Sequence, residues 1–253
     1  MFRFICWLPL LLAAQQALPG QSAAHVAAAA DLQYALPEIV QAFAAGGEQA
    51  PSLSFGSSGA FAHQIVNGAP FEIFLSADES YISLVREAGR AKDAGLPYAI
   101  GRLALFIPKG SAVVADRDLA DLGRAAGDGR LKRLAIANPE HAPYGRAARE
   151  ALHHLGIWPL VETRLALGEN AAQAAQFAAS GAAQAAILPL SLVLSPALAD
   201  KGAFMTLPQS WHAPLDQRMV LLTGAGDSAR RFYRFLGQAE ARAILARHGF
   251  IPP

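Results

Sequence analysis

The segment Gly56-Ser57-Ser58-Gly59 has the residue types of an anion-binding turn, and it lies between a predicted strand and a predicted helix. Small residues let the backbone approach a ligand closely, hydroxyl groups donate hydrogen bonds, and the start of a helix favours negative charge. This combination can bind an oxyanion without a counter-ion. The alternative interpretation is a tight turn in which a serine caps the following helix.

Two further segments also join a predicted strand to a predicted helix. In Asn138-Pro-Glu-His-Ala-Pro-Tyr-Gly145, Tyr144 can offer its backbone N–H and its phenol at the start of the helix. A proline-stiffened loop with a packed tyrosine is the alternative. In Gly168-Glu-Asn-Ala171, Asn170 is the predicted helix cap. The three segments together predict a site for an anion that is held by neutral donors.

The histidines do not form a predicted metal or catalytic site. His153 and His154 are adjacent on a predicted helix, so their side chains point in different directions. His63, His141 and His212 are isolated in the sequence. An exported hydrolase or lyase that uses Ser58, Tyr144 or Asp31 stays open as an alternative, but such a nucleophile needs a base within hydrogen-bond reach.

The composition excludes several classes of protein. The chain of 253 residues is 53% hydrophobic and 16% charged, with a formal net charge of +1 and one cysteine. Intrinsic disorder requires low hydrophobicity and high net charge, and nucleic-acid binding requires a basic surface. One cysteine excludes a disulfide framework and a cysteine-based metal site. We therefore expect a globular protein that binds no nucleic acid.

Residues 1–24 are typical of a cleaved signal peptide. Arg3 provides the positive charge, residues 4–14 form a short apolar run, and Ser22-Ala23-Ala24 is a small-residue cleavage site. Because Cys6 lies inside the apolar run, no lipoprotein anchor is expected. The mature chain would be formally neutral and free of cysteine, which suits an oxidising compartment. We expect a monomer in the periplasm.

The mature chain alternates between strand and helix patterns, which predicts an α/β fold with a parallel sheet, in two lobes. The apolar run from His25 ends at Asp31, which is predicted to cap an amphipathic helix over residues 32–45. Pro37 lies inside that helix and is tolerated only in its first turn.

An ordered set of motifs resembles the periplasmic molybdate-binding proteins of molybdate ABC transporters. The set spans nearly the whole mature chain, and it consists of Ala28-Ala-Ala-Asp31-Leu, Ser54-Phe-Gly-Ser-Ser-Gly59, Asn67-Gly-Ala-Pro70, Phe74-Leu-Ser-Ala-Asp-Glu79, Tyr98-Ala-Ile-Gly101, Asn138-Pro-Glu-His-Ala-Pro-Tyr-Gly145, Gly168-Glu-Asn170 and His248-Gly-Phe-Ile-Pro-Pro253. Each motif alone is weakly specific, whereas their order is strongly specific.

The resemblance implies a type II periplasmic binding protein fold, in which two α/β lobes joined by two crossing strands hold the ligand in the cleft between them. The crossings are expected near residues 103–106 and 219–222. Lobe 1 would then comprise residues 25–103 and 218–253, and lobe 2 residues 104–217. The C-terminal helices would return to lobe 1.

The resemblance also implies which residues bind the anion. It assigns direct contact to Ser58 and Tyr144, and it places Ala30 and Asp31 at the start of the first helix and Ala171 as a backbone donor. Family members commonly have Ser, Thr or Asn where this chain has Asp31. Because a carboxylate repels a dianion, we expect Asp31 to point away and to donate only its N–H. Some members also have a tyrosine where this chain has Pro189.

The resulting hypothesis is a solute receptor without enzymatic activity, cofactor or direct cation site. It would capture molybdate or tungstate and deliver the anion to the membrane permease of an ABC transporter. A receptor for sulfate or another oxyanion is the nearest alternative.

Overall fold

The computed structural model describes residues 23–116 and 118–253. The predicted signal peptide lies outside these ranges except for its last two residues. Within the described ranges the chain forms two five-stranded sheets with helices packed on them, and no helix there is long and apolar enough to cross a membrane. We call each sheet with its helices a lobe.

The first sheet has the strand order β2-β1-β3-β10-β4 and the second the order β7-β6-β8-β5-β9. The strands are β1 (His25–Ala29), β2 (Ser52–Gly56), β3 (Ile73–Ser76), β4 (Leu96–Ile100), β5 (Leu103–Pro108), β6 (Leu134–Ala137), β7 (Leu165–Gly168), β8 (Ala185–Pro189), β9 (Gly202–Thr206) and β10 (Asp216–Leu221).

The helices follow the strands in the alternation that the sequence predicts. They are α1 (Ala35–Ala45), α2 (Ser58–Val66), α3 (Glu79–Glu87), α4 (Ala120–Asp128), α5 (Pro143–His154), α6 (Trp158–Val161), α7 (Ala171–Ala179), α8 (Leu190–Val193), α9 (Asp227–Leu236) and α10 (Ala239–Arg247). Short 3-10 helices cover Ala30–Leu32, Glu162–Arg164 and Gln209–Trp211. Pro37 lies in the first turn of α1, where it costs no intrahelical hydrogen bond.

Each sheet is mixed rather than purely parallel. β1 runs parallel to β2 and β3, as the strand–helix alternation predicts, and β6 runs parallel to β7 and β8. β10 pairs antiparallel with β3 and β4, and β5 pairs antiparallel with β8 and β9. The antiparallel strands are those on either side of the two crossings between lobes.

The chain crosses between lobes at slightly different residues from those predicted. Leu103 already pairs with Pro189 in the second sheet, so the first crossing is the short connection after β4. Asp216 already pairs with Ile100 in the first sheet, so the second crossing lies between β9 and β10. Hydrogen bonding keeps each strand in one sheet, because a strand that spanned both lobes would leave backbone groups unpaired.

Each lobe has its own apolar core. In the first lobe, side chains of β1 and α1 pack with the C-terminal helices, for example Phe43 against Phe232. In the second lobe, β5 and β6 pack against α4 and α5. Ile251 bridges Ile100 on β4, which brings the C-terminus back to the first lobe. Two packed lobes leave a cleft between their facing edges.

Candidate functional site

A small cavity lies where the two lobes meet. The loops that follow β1, β2, β6 and β7 reach it, because parallel strands in a sheet end at one edge. All five residues predicted to contact the anion line this cavity, and the complete lining is Ala29, Ala30, Asp31, Gly56, Ser57, Ser58, Ala77, Ala142, Pro143, Tyr144 and Ala171. That these residues bind an anion stays a prediction.

The start of α2 contributes Ser58 to the cavity. Ser57 caps the helix, because its Oγ accepts a hydrogen bond from the N–H of Ala60 at 3.2 Å. Ser58 Oγ accepts a hydrogen bond from the N–H of Ala77 at 3.0 Å, so its own hydroxyl hydrogen is left to donate. The N–H of the first helical residue has no acceptor within the helix. Ser58 can therefore offer two donors to an anion.

The start of α7 contributes Ala171. Asn170 caps this helix, as predicted, because its Oδ1 accepts hydrogen bonds from the N–H groups of Ala172 at 3.0 Å and Gln173 at 3.1 Å. Ala171 is the first residue of the helix and is buried. Its N–H has no intrahelical acceptor, so it is available to a ligand.

The prediction that Asp31 caps the first helix is wrong. Asp31 lies in the 3-10 helix Ala30–Leu32, and Tyr34 precedes α1 without a side-chain cap. The carboxylate instead turns inward: Asp31 is 2% exposed, and its Oδ2 accepts a hydrogen bond from Nε2 of Gln217 at 2.6 Å. The carboxylate therefore lies at the cavity as part of a buried polar network.

This buried network joins four side chains from both lobes. Gln217 Nε2 donates to Oδ2 of Asp31 and to the hydroxyl of Tyr144, the latter at 2.9 Å. The hydroxyl of Tyr98 donates to Oε1 of Gln217 at 2.6 Å. Sequence reasoning missed Gln217, and its one signal is a polar residue at the start of the apolar run of β10.

The electrostatics of the network follow from its burial. Burial raises the pKa of Asp31 to about 6, although the hydrogen bonds from Gln217 and Tyr144 oppose the shift. Burial, with the nearby charge of Asp31, also raises the pKa values of Tyr98 and Tyr144 well above their usual range. Both tyrosines therefore stay neutral donors at every physiological pH.

Direct contacts across the cleft hold the lobes together. The N–H of Gly59 donates to the carbonyl of His141 at 3.0 Å, and Nδ1 of the same histidine lies 2.9 Å from Oγ of Ser57. Arg146 on α5 forms an ion pair with Asp78, the cap of α3. His141, isolated in the sequence, thus lies at the rim of the cavity. The structure is that of a closed cleft.

The other histidines stay away from the site. His63 is exposed on α2, and Nδ1 of His212 lies 2.7 Å from the carbonyl oxygen of Ala213. His153 stacks on Trp158 and His154 on Trp211. Over the described ranges, no three His, Cys, Asp or Glu side chains are grouped to hold a metal ion.

Comparison with known proteins relates this chain to solute binding. Residues 24–251 match the family of bacterial extracellular solute-binding proteins. The chain is 36% identical over 239 residues to a protein named molybdate-binding protein ModA from Rhodobacter capsulatus, covering 93% of this chain and 91% of the relative. It is 33% identical over 244 residues to the protein of the same name from Azotobacter vinelandii, covering 95% and 93%.

A solved structure has the same fold. The periplasmic molybdate-binding protein of Azotobacter vinelandii superimposes with a TM-score of 0.80 at 29% sequence identity, and the match covers 91% of this chain and 99% of that one. The two-lobe type II periplasmic binding protein fold expected from the motifs is therefore confirmed.

Proposed function

The chain belongs to the bacterial extracellular solute-binding proteins and, within them, to the family of the ModA molybdate-binding proteins. From this premise we propose that it captures molybdate or tungstate in the cavity between its lobes and delivers the anion to the membrane permease of an ABC transporter. The observation that carries the proposal is the set of helix starts and hydroxyl groups that converge on one small cavity.

Neutral donors would hold the anion. Ser58 would contribute its hydroxyl and N–H, and Ala30 and Asp31 their backbone N–H groups, from the first lobe. Tyr144 would contact the anion from the second lobe, where Ala171 would donate its N–H. Among the described residues, none that lines the cavity is Lys or Arg. Donors that the fold already holds in place lose little entropy on binding, and in a closed cleft they act in a low dielectric.

Size would set the selectivity. Sulfate shares the charge and tetrahedral shape of molybdate and tungstate but is smaller, so rigid donors spaced for the larger anions would reach it poorly. The donors here belong to helix starts that are fixed by caps and by strand ends, which cannot easily close on a smaller ligand.

A binding role without catalysis also suits the geometry. The relatives named above are binding proteins. Ser58 Oγ accepts a hydrogen bond from the N–H of Ala77. His141, the histidine at the rim, contacts Oγ of Ser57, the residue that caps α2, and not Oγ of Ser58. A serine nucleophile would need a base at its own hydroxyl. We therefore propose that the protein is a periplasmic monomer that has no enzymatic activity and needs no cofactor.

Calorimetric titration of the protein with molybdate, tungstate and sulfate tests the proposal. We expect tight binding of molybdate and tungstate with a stoichiometry of one, and no measurable heat from sulfate at the same concentrations. Heat from sulfate alone would assign the cavity to a smaller oxyanion, and no heat from any of the three would refute an oxyanion receptor.

A further inference from the structure

Asp31 places a carboxylate at a cavity whose other lining groups suit an anion. The side chain is 2% exposed, and its two oxygens differ. Oδ2 accepts the hydrogen bond from Gln217, whereas Oδ1 is buried and has no hydrogen-bond partner among the described residues. A buried acceptor without a donor costs free energy, so the pattern calls for an explanation.

The network fixes which oxygen of Asp31 can carry a proton. The hydroxyl of Tyr98 has one hydrogen and two acceptors in reach, Oε1 of Gln217 at 2.6 Å and the carbonyl oxygen of Ser76 at 3.3 Å; the shorter contact, to Gln217, orients the amide. Nε2 must then point its two hydrogens at Oδ2 of Asp31 and at the hydroxyl of Tyr144. The hydroxyl of Tyr144, which accepts from Gln217, directs its own hydrogen toward the Asp31 carboxylate as well. Oδ2 is held as an acceptor, so we place a proton on the carboxyl group at Oδ1, the oxygen without a hydrogen-bond partner.

A bound dianion would reverse the role of Oδ1. An ionised carboxylate beside a dianion in a dry cavity is repelled strongly, because little water is present to screen the two like charges. A protonated carboxyl group is instead a hydrogen-bond donor. The dianion supplies the acceptor that Oδ1–H requires, and the carboxylic acid becomes one more neutral donor.

We propose that Asp31 binds the anion as a carboxylic acid, donating the hydrogen on Oδ1 to an anion oxygen, so that the capture of each dianion takes up one proton from solvent. This inference rests on the proposed function, because it deepens the description of the same site. The inference predicts that the affinity for the anion falls as the pH rises, and that the side chain of Asp31 is responsible for this pH dependence.

The side chains found to interact with Asp31 carry no charge. Tyr98 on β4 and Tyr144 on α5 are the titratable groups that interact with it, and both stay neutral. Gln217 on β10 and Ser191 on α8, whose Oγ donates to the carbonyl of Asp31 at 2.8 Å, are uncharged. Burial already raises the pKa of Asp31 to about 6, before any anion adds its own effect.

The test counts protons during binding. Wild-type protein is titrated with molybdate in buffers of different ionisation enthalpy, at about pH 8 and at about pH 5. We expect an uptake near one proton at the higher pH and close to none at the lower one, because Asp31 is already protonated there. The dissociation constant should rise about tenfold per pH unit above about pH 6.5.

Two variants identify the group responsible. Asp31→Asn replaces the carboxylic acid by a neutral amide of the same shape, so it should bind molybdate without proton uptake and more tightly than wild type at about pH 8. His141 also lies at the rim of the cavity, where its Nδ1 is 2.9 Å from Oγ of Ser57, and the proposal gives it no part in the proton uptake. His141→Gln should therefore retain the uptake.

The outcomes separate the inference from the proposed function. Molybdate binding by wild type without proton uptake at about pH 8 would overturn the inference alone, and so would an uptake that persists in Asp31→Asn and disappears in His141→Gln. Absence of molybdate binding by wild type at either pH would overturn the proposed function, and the inference with it. The wild-type proton count decides even if a variant fails to fold.

Discussion

At the scale of single residues, the buried carboxyl group of Asp31 costs stability whenever it is ionised. Its burial raises the pKa to about 6, so the folded protein binds the proton more tightly than the unfolded chain does. Stability from this proton is fully present below about pH 4 and is lost as the pH rises through about 6. A charge that destabilises the free receptor is thus kept next to its ligand site.

This cost predicts a pH-dependent effect of Asp31→Asn on stability. Without ligand, the variant should unfold at a higher urea concentration than wild type at about pH 8, by about 2–3 kcal/mol in the free energy of unfolding, since a shift of about two pH units corresponds to that amount. At about pH 4 the difference should be small. Asp200→Asn, on the exposed surface, is the matched control and should show neither effect. Equal stability of wild type and Asp31→Asn at about pH 8 would contradict the burial of a charged carboxylate.

Ser58→Ala tests the hydroxyl at the start of α2. It should weaken molybdate binding by about 1–2 kcal/mol, the amount expected when a hydrogen bond to a charged ligand is lost. It should also lower stability, because the N–H of Ala77 loses its acceptor. Ser195→Ala is the control: this serine is equally buried, but its Oγ donates to the carbonyl of Leu192, away from the cavity. Unchanged affinity in Ser58→Ala, measured by calorimetry, would remove this hydroxyl from the site.

At the scale of secondary-structure elements, the helix starts at the cleft are the part of the site that local sequence predicts best. Ser57 and Asn170 are helix caps, as their residue types indicate. Each cap fixes the start of its helix and so positions the next residue, Ser58 or Ala171, at the cavity. The prediction for Asp31 fails for a physical reason. Its hydrogen-bond partner Gln217 lies 186 residues away in the sequence. The residues around Asp31 therefore give no sign that its carboxylate binds Gln217 and does not cap a helix.

Two edge strands, β4 and β9, have sequence patterns that predict a strand only weakly. β4 contains Pro97, which weakens a strand prediction and is tolerated at an edge, and β9 is half exposed. No capping residue marks the start of helix α4, because the residue before it is Leu119, which has a left-handed backbone conformation and no side-chain hydrogen bond to the helix. The sequence therefore predicts elements that have long apolar runs or capping residues. Edge strands are harder to predict, because they depend on which neighbouring strands the fold places beside them.

Gly101, in the connection between β4 and β5, controls the packing of the polar network. A Cβ at this position would lie 2.2 Å from the hydroxyl of Tyr144 and 2.8 Å from Nε2 of Gln217. Gly101→Ala should therefore displace both groups, weaken molybdate binding more than tenfold and lower the melting temperature. In Gly127→Ala, on α4, the added Cβ meets nothing within 4 Å, so affinity should stay unchanged and stability should rise slightly. Equal affinities of the two variants in calorimetry would show that the network does not support the site.

At the scale of the whole molecule, the two lobes meet through backbone contacts as well as ion pairs. Gly59 on α2 approaches the loop before α5 so closely that a Cβ would lie 2.6 Å from the carbonyl oxygen of His141. The ion pair of Arg146 with Asp78 adds a charged contact on the same side of the cleft. Under the proposed function, closure of the lobes over the anion would give a permease a distinct conformation to recognise.

Gly59→Ala should therefore hold the lobes apart. In small-angle scattering, the molybdate-bound variant should have a larger radius of gyration than bound wild type, and stopped-flow measurements should show faster release of the anion. Gly237→Ala is the control, because its Cβ would make only an ordinary contact at 3.5 Å, far from the cleft. A bound variant as compact as wild type, with unchanged release, would mean that this contact is unimportant for closure.

Low charge over the whole chain is consistent with this way of binding. Only 16% of the residues are charged, and the cavity is lined by helix starts and hydroxyl groups rather than by cations. The five residues that the sequence motifs predicted as anion contacts all line the cavity, although the motifs could not show that Asp31 joins a network reaching into the other lobe. The chain topology brings Gln217 on β10 into the sheet of the first lobe, and Tyr144 carries the network into the second lobe.

The most direct test of the central claim is a crystal structure of the protein with molybdate, with the metal located by its anomalous scattering. We predict one anomalous peak in the cavity between the lobes, with anion oxygens within hydrogen-bond distance of Ser58 Oγ and of the N–H of Ala171, and no Lys or Arg side chain in contact. A peak elsewhere, or an anion held by arginine or lysine side chains, would contradict the account.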